Sequence, residues 1–446
     1  MKKRHWLGAG GTALLAAATL AGQVATPHTP VPVPRMPVPT AAILPATQTL
    51  FDGYVTGGKM PGIVGAFGVG DGPTQFVTAG HIATTPGAPD AGPDTLWRVY
   101  SMTKPVTATA AMILIEEGKI GLDDPVAKYI PAFAHMRMLT SPDSSLDSRP
   151  AARPITIRNL LTHTAGLGYN IVTKGPLLKE YERLGILPES VNVAAEVKMR
   201  AVRPKTLAEF ADRVATLPLI ADPGTKWSYS IGLDVMGRVI EVASGLPFDT
   251  FVDTRIFAPL KMRSSFWQVP AGEAGRLATN YTFIGQTMAP VDPAATSVFL
   301  QKPSFPYGGA GLVMSARDYD RFLHMLQNAG TLDGVRIARP ETIHLMMSNL
   351  LPAGVTFTQV APGTGGTNAP VPLGFGAGGS VYLADKPGGP SKGTYGWGGA
   401  AGTIAWVDPV KQVRGTVMVN YFPADQWPTR TDIPAALFKD YGRFRR

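Results

Sequence analysis

The strand-like segments of this chain lie towards its two ends, and the segments between them read as helices. Residues 62–69 and 74–82 are rich in β-branched and aromatic side chains and meet through Asp71-Gly72, a hairpin signal. Strand patterns return only at 375–383, 403–408 and 415–421. Between them, 101–117 places Ala108, Ala111, Met112 and Ile115 at helical spacing. Residues 156–162 form a short helix with Thr156 as cap, and 206–216, 231–244 and 316–328 are further helices. Residues 48–59 and 433–441 are predicted helices at either end of the body. A sheet assembled from both ends with helices between them is an α+β arrangement. It implies an antiparallel sheet flanked by helices, with a mostly helical region inserted. The sheet region is expected over about 47–125 and 300–446, and the helical region over about 126–299.

The 446 residues allow two to three domains or one large fold with an insertion. With 45% hydrophobic and 16% charged residues, a large core is affordable and general disorder is excluded. The 50 glycines and 41 prolines imply many fixed turns, and no internal repeat is visible. Cysteine is absent, which excludes disulfides, thiolate nucleophiles and thiolate metal sites. The seven histidines form no HxH or HExxH pair, so neither metal nor cofactor is expected. Of the net charge of +9, Lys2, Lys3, Arg4 and Arg443, Arg445, Arg446 supply six at the two ends. No basic stripe interleaved with aromatics runs through the body, so nucleic acid is not an expected partner.

The amino terminus reads as an export signal. A basic stretch, Lys2 to His5, precedes an apolar run over 6–20, and small residues allow cleavage after Ala21. That run is too short for a stable membrane span. Residues 22–46 form a Pro-rich linker, so the folded body would occupy 47–446, secreted or periplasmic after cleavage.

Ser101-Met102-Thr103-Lys104 places a hydroxyl and an amine three residues apart at the start of a predicted helix. On a helix these share a face. A serine hydroxyl becomes a useful nucleophile when an adjacent base takes its proton, and a helix N-terminus favours a developing oxyanion. Pro105 is no obstacle, because first-turn N–H groups lack intrahelical partners. As a spacing alone, Ser-x-x-Lys also describes a helix cap followed by an exposed lysine. Ser391, in Gly389-Pro390-Ser391-Lys392-Gly393, matches the Gly-x-Ser-x-Gly pattern. It lacks the strand and helix that a nucleophile elbow requires.

Further blocks follow in order: WRVYSMTKPVTA at 97–108, GKIGLDDPVAKYIP at 118–131 and LLTHTAGL at 160–167. PGTKWSYSIGLDVMGRVIEVASGLPF occupies 223–248, GGAGLVMSARDYDRF 308–322 and YGWGGAAGT 395–403. Together they make the chain resemble the serine β-lactamase and penicillin-binding superfamily, in its class C-like carboxylesterase branch. The resemblance implies Ser101 as nucleophile, Lys104 and Tyr229 as its proton shuttle, and an oxyanion hole from the Ser101 and Ala400 N–H groups. Trp397-Gly398-Gly399 stands where lactamases carry Lys-Thr-Gly on an edge strand, its glycines allowing close approach of substrate. Ile231 stands at the Asn of Tyr-x-Asn. Trp397 cannot pair with a substrate carboxylate, nor Ile231 with a substrate amide, so both would face an uncharged apolar group. His163 is then structural, and Asp234 packs or caps a helix.

These residues point to a secreted serine hydrolase that cleaves small carboxylic esters through an acyl-enzyme. The alternatives are a β-lactamase or D-alanyl-D-alanine carboxypeptidase or aminopeptidase, an acyltransferase, and a non-catalytic penicillin-binding-like protein. The oligomeric state is not legible.

Overall fold

The structure, a computed structural model, describes residues 44–357 and 371–443. The expected export segment, 1–21, and the linker up to residue 43 lie outside the described residues. Helix α1 (Pro45–Thr56) leads into strands β1 (Gly62–Val69) and β2 (Gln75–Gly80). Helices α2 (Thr103–Glu116), α3 (Ile157–Leu161), α4 (Leu207–Ala215), α5 (Gly232–Ser244) and α6 (Ala316–Gln327) follow. The chain then forms β3 (Leu373–Phe375), β4 (Ser380–Tyr382), β5 (Tyr395–Gly398), β6 (Ile404–Asp408) and β7 (Val413–Met418), and closes with α7 (Thr429–Arg443).

The seven strands form one sheet in the order β3-β4-β5-β6-β7-β1-β2, with every pairing antiparallel. The two ends of the body meet where β1 pairs with β7, from Val64 opposite Met418 to Val69 opposite Val413. Alternation along β1 sends side chains to opposite faces. Ile63 and Phe67 join Phe51, Ile433 and Leu437 under α1 and α7. Val64 and Ala66 belong to the large core that holds Met112 of α2 and Phe322 of α6. The first and last helices are also tied together by polar contacts. Thr47 donates its N–H and its hydroxyl to the Asp440 carboxylate at 2.8 and 2.7 Å.

Local chemistry sets most boundaries. Thr156 and Asn159 form a capping box at α3, Thr206 accepts the Glu209 N–H at α4, and Ser315 accepts the Asp318 N–H at α6. Gly245 ends α5 at φ +74°. Helix α1 starts at Pro45, ahead of the expected 48, because proline fits the first turn, where no N–H partner is needed. The expected strand 375–383 is instead two strands, β3 and β4, joined through 376–379. Gly378 there has φ +73°, and a Cβ on it would sit 2.7 Å from the Lys104 carbonyl, so the hairpin packs onto the start of α2. This hairpin covers β5, which is an inner strand and not an edge. Tyr421 and Phe422 leave the main sheet to pair with Tyr281 and Thr282. Among the described residues no helix is long and apolar enough to cross a membrane.

Candidate active site

Ser101 sits in a 3₁₀ turn, Tyr100–Met102, that leads into α2 and is not part of its α-helical run. The chain reaches that turn under constraint. Tyr100 has φ +42°, a conformation that costs a bulky residue about 1–3 kcal/mol and persists only when its surroundings impose it. Its ring is buried against Phe299 and Phe422, and Asn280 Nδ2 donates to its hydroxyl at 3.2 Å. Two residues earlier, the buried Arg98 guanidinium pairs with Asp292 at 2.6 Å. Beyond the turn, Tyr319 donates its hydroxyl proton to the Met102 carbonyl at 2.9 Å. Ser101 is thus fixed from both sides.

Lys104 lies one helical step further, fully buried. Its Nζ donates to Ser101 Oγ at 3.2 Å and to the Gly309 carbonyl at 2.8 Å, and stands 4.6 Å from the centre of the Tyr229 ring. The Tyr229 hydroxyl donates to Ser101 Oγ at 2.7 Å. Tyr229 precedes α5 in a segment outside any helix or strand and pinned on either side: the Ser228 N–H donates to the His163 carbonyl at 2.9 Å, and the Ile231 N–H to the Gly168 carbonyl at 3.2 Å. The structure therefore brings Ser101, Lys104 and Tyr229 into one hydrogen-bonded cluster. Ile231 is fully buried at the N-terminus of α5.

His163 packs its ring against Tyr229, Trp227 and Phe375. Its Nδ1 lies 3.0 Å from the Ser230 hydroxyl and 3.2 Å from the Ser230 N–H, which ties the ring to the segment that carries Tyr229. Burial, reinforced by the nearby Lys104 charge, holds this imidazole well below its usual range and so neutral. Two buried carboxyls complete the surroundings. Asp234 Oδ1 accepts the Gly309 N–H at 2.8 Å, and burial pushes the group up to about 7 against the pull of Lys104. Glu189 accepts from Asn170 Nδ2 at 2.6 Å and is also raised by burial. No motif marks Glu189 in the sequence; only the folding of its loop beside Tyr169 and Lys104 brings it here.

On the opposite wall, Trp397 of β5 directs its indole N–H to the Tyr229 hydroxyl at 3.4 Å. Trp397, Phe375, Phe357 and Trp227 pack ring against ring beside Tyr229, with Trp397, Phe375 and Trp227 buried in the main core. The two glycines after Trp397 are required by the protein's own packing. A Cβ on Gly398 would meet the Arg430 guanidinium, and one on Gly399 would collide with Thr403 Oγ1 and the Val99 carbonyl. The turn after β5 is thereby pressed against the chain entering Ser101. Ala400 in that turn is exposed, and among the described residues its N–H has no acceptor. Ser391 is elsewhere, in the turn before β5, with its N–H donated to Asp408 Oδ2 at 2.9 Å.

The family model named Beta-lactamase matches residues 47–436, most of the chain. The chain belongs to the beta-lactamase family. Within it, the chain is 34% identical to the esterase EstB of Burkholderia gladioli over 56% of this chain and 60% of that one. It is 30% identical to the acyltransferase calJ of Penicillium decumbens, over 81% and 84% of the two chains. Among solved structures, EstCE1, a hydrolase with promiscuous acyltransferase activity, superposes with a TM-score of 0.70. That match spans 89% of this chain and 98% of EstCE1 at 24% identity. The beta-lactamase fold accounts for a sheet built from both ends of the chain.

Proposed function

We propose that this chain is an exported serine hydrolase that cleaves carboxylic esters through an acyl-enzyme on Ser101. The observation that carries the reading is the cluster itself: one hydroxyl with a phenol at 2.7 Å and an amine nitrogen at 3.2 Å. Both groups are within reach for proton transfer. In the reactive form the Tyr229 oxygen is ionised beside the Lys104 cation, and Ser101 Oγ attacks the ester carbonyl carbon while its proton passes to that oxygen. The carbonyl oxygen, now negative, receives the Ser101 and Ala400 N–H groups. Collapse breaks the bond to the alkoxy oxygen, Tyr229 returns the proton to it, and the alcohol leaves. Water then attacks the acyl-serine, the Tyr229 oxygen takes its proton and passes it to the departing Ser101 Oγ, and the acid is released. Every group in this cycle is supplied by the chain and by water.

An uncharged, apolar substrate is favoured by Trp397 and Ile231, which stand where the resemblance implies a cation and an amide partner. The similarity to the esterase EstB points the same way. Export follows from the basic and apolar segments of residues 1–21 and would place the enzyme outside the cytoplasm. A second reading, acyl transfer to an alcohol in place of water, is favoured by the similarity to the acyltransferase calJ.

The test is p-nitrophenyl butyrate turnover together with fluorophosphonate labelling mapped by peptide mass spectrometry. We expect the label on Ser101, both signals lost in Ser101→Ala, and little change in Ser391→Ala. A label on Ser391, or turnover surviving in Ser101→Ala, would sink the assignment. Added alcohol that diverts the butyryl group into a new ester in preference to the free acid would move it to acyl transfer.

A further inference from the structure

Behind Lys104 lies a buried carboxyl that the reaction above does not use. Asp234, in the first turn of α5, is fully buried. Its Oδ1 accepts the Gly309 N–H at 2.8 Å, and the Gly309 carbonyl accepts from Lys104 Nζ at 2.8 Å. Carboxyl, peptide and lysine head are therefore in series, across a single glycine. That glycine is held from the other side as well, because the Thr107 hydroxyl of α2 donates to the Gly308 carbonyl at 2.7 Å. A Cβ on Gly309 would stand 2.5 Å from Asp234 Oδ2, so peptide and carboxyl are in direct contact.

The second oxygen is the informative one. Asp234 Oδ2 is buried and has no hydrogen-bond partner among the described residues. A neutral acceptor would satisfy the Gly309 N–H at lower desolvation cost, so a carboxyl here calls for a charge to offset it. Lys104 is the cation whose field acts on it.

We propose that Asp234 is a positioning residue for the Ser101 reaction: it holds the Gly309 peptide against Lys104 and supplies the counter-charge that keeps the lysine head at Ser101 Oγ. This inference rests on the reading of Ser101 as nucleophile. The other groups facing this line are Glu189, held by Asn170, the Tyr169 and Tyr229 rings beside Lys104, and the neutral His163. Burial puts Asp234 at about 7, so its charge is absent below that pH and present above it. The working form is the ionised one, and Ser101 reactivity should rise through that range.

The experiment is the rate of fluorophosphonate labelling at Ser101, followed from about pH 5.5 to about pH 9, since one bond-forming step is read independently of the natural substrate. Asp234→Asn keeps an acceptor for Gly309 and removes the charge. It should abolish the step near neutrality and slow labelling at about pH 8 by roughly 10–100-fold, the size of one lost charge-assisted bond. Glu189→Gln should keep the step. An Asp234→Asn profile that superimposes on wild type would overturn the proposal, as would loss of the step in Glu189→Gln alone. If Asp234→Asn fails to fold, Gly309→Ala decides. Slow labelling with an unchanged melting temperature supports the coupling, and wild-type labelling refutes it. A wild-type protein that takes no label at Ser101 removes the nucleophile reading itself, an outcome distinct from all of these.

Discussion

The Trp397 indole N–H points at the Tyr229 phenol oxygen from 3.4 Å, with the two ring centres 5.7 Å apart. In the lactamase pattern this strand position holds a lysine, a mobile charge able to pair with a substrate carboxylate. An indole offers the same oxygen a neutral donor, long and therefore weak, and fills the surrounding space with an apolar face. Phe375 packs edge-on against it at 5.2 Å between ring centres, which fixes the indole in place. The exchange replaces the charge at that strand position with an apolar ring; Lys104 remains hydrogen-bonded to Ser101, and the Arg430 guanidinium lies at Gly398 and donates to the Gly399 carbonyl at 3.3 Å.

Lys104→Ala and Tyr229→Phe should each lower kcat on p-nitrophenyl butyrate by roughly 10²–10⁴-fold, the usual range for loss of general acid–base help. The double variant should be little worse than either single one, because both groups serve one proton path. Steady-state kinetics on the three variants checks this. A Tyr229→Phe enzyme with most of the wild-type kcat would mean that another group takes the Ser101 proton.

How far the site is legible from sequence follows the range of each interaction. Ser101 and Lys104 are three residues apart, a spacing that fits a helix cap with an exposed lysine as well as a shared face; the structure shows the contact, with Ser101 in the 3₁₀ turn ahead of α2. The approach of Tyr229 from 128 positions away has no local signal, and its expectation came from the order of the blocks. Thr156, Thr206 and Gly245 are readable because capping chemistry is local. The β3–β4 hairpin is hidden because its turn, 376–379, is short and glycine-rich within an otherwise strand-like run. β5 is hidden for the related reason that glycine alternates with tyrosine and tryptophan along it. Glu189 and the Asp234–Gly309–Lys104 line are purely tertiary, so nothing in a window of sequence could announce them.

The two glycines after Trp397 should not be equivalent. A methyl group at Gly399 meets the Val99 carbonyl, which belongs to the backbone entering Ser101, whereas at Gly398 it meets the end of the Arg430 side chain. Gly399→Ala should cost about 1–3 kcal/mol of stability, the range for overpacking, and sharply slow labelling of Ser101. Gly398→Ala should be milder on both measures, since a side-chain end moves more readily than backbone. Thermal melts and labelling rates on both proteins decide it; equal effects would mean that the Gly399 turn does not brace the Ser101 turn.

A pH effect on stability should come from Asp318 in the first turn of α6. Its carboxyl accepts from the Ser265 hydroxyl at 2.9 Å, yet burial pushes it up to about 6. Unfolded, an aspartate titrates near about 3.9. Between those values the folded protein binds more protons than the unfolded chain. The contribution of this group is therefore complete below about 3.9 and is lost as pH rises to about 6. Asp318→Asn keeps an acceptor and does not titrate, so its melting temperature should fall less than that of wild type across this window. Parallel curves for the two proteins would show that Asp318 does not titrate there.

The substrate class can be decided by a ratio. A β-lactam carries a carboxylate and an amide, and the positions that would receive them are Trp397 and Ile231. Each missing charge-assisted or buried hydrogen bond should cost about 1.5–3 kcal/mol of transition-state binding. Two independent losses give roughly 10²–10⁴-fold discrimination. Short-chain aryl esters have neither group and suffer neither loss, so kcat/KM for p-nitrophenyl butyrate should exceed that for nitrocefin by at least about 10²-fold. Ile231 is fully buried, whereas Trp397 reaches the Tyr229 oxygen itself, so the ratio should respond chiefly to Trp397. Trp397→Lys returns a cation to that wall and should narrow the gap by about tenfold or more, mainly through the nitrocefin term. Both substrates should be measured on one preparation at one pH. Comparable values in the wild-type enzyme would move the assignment to a β-lactamase, and a ratio unmoved by Trp397→Lys would leave the tryptophan without a part in selectivity.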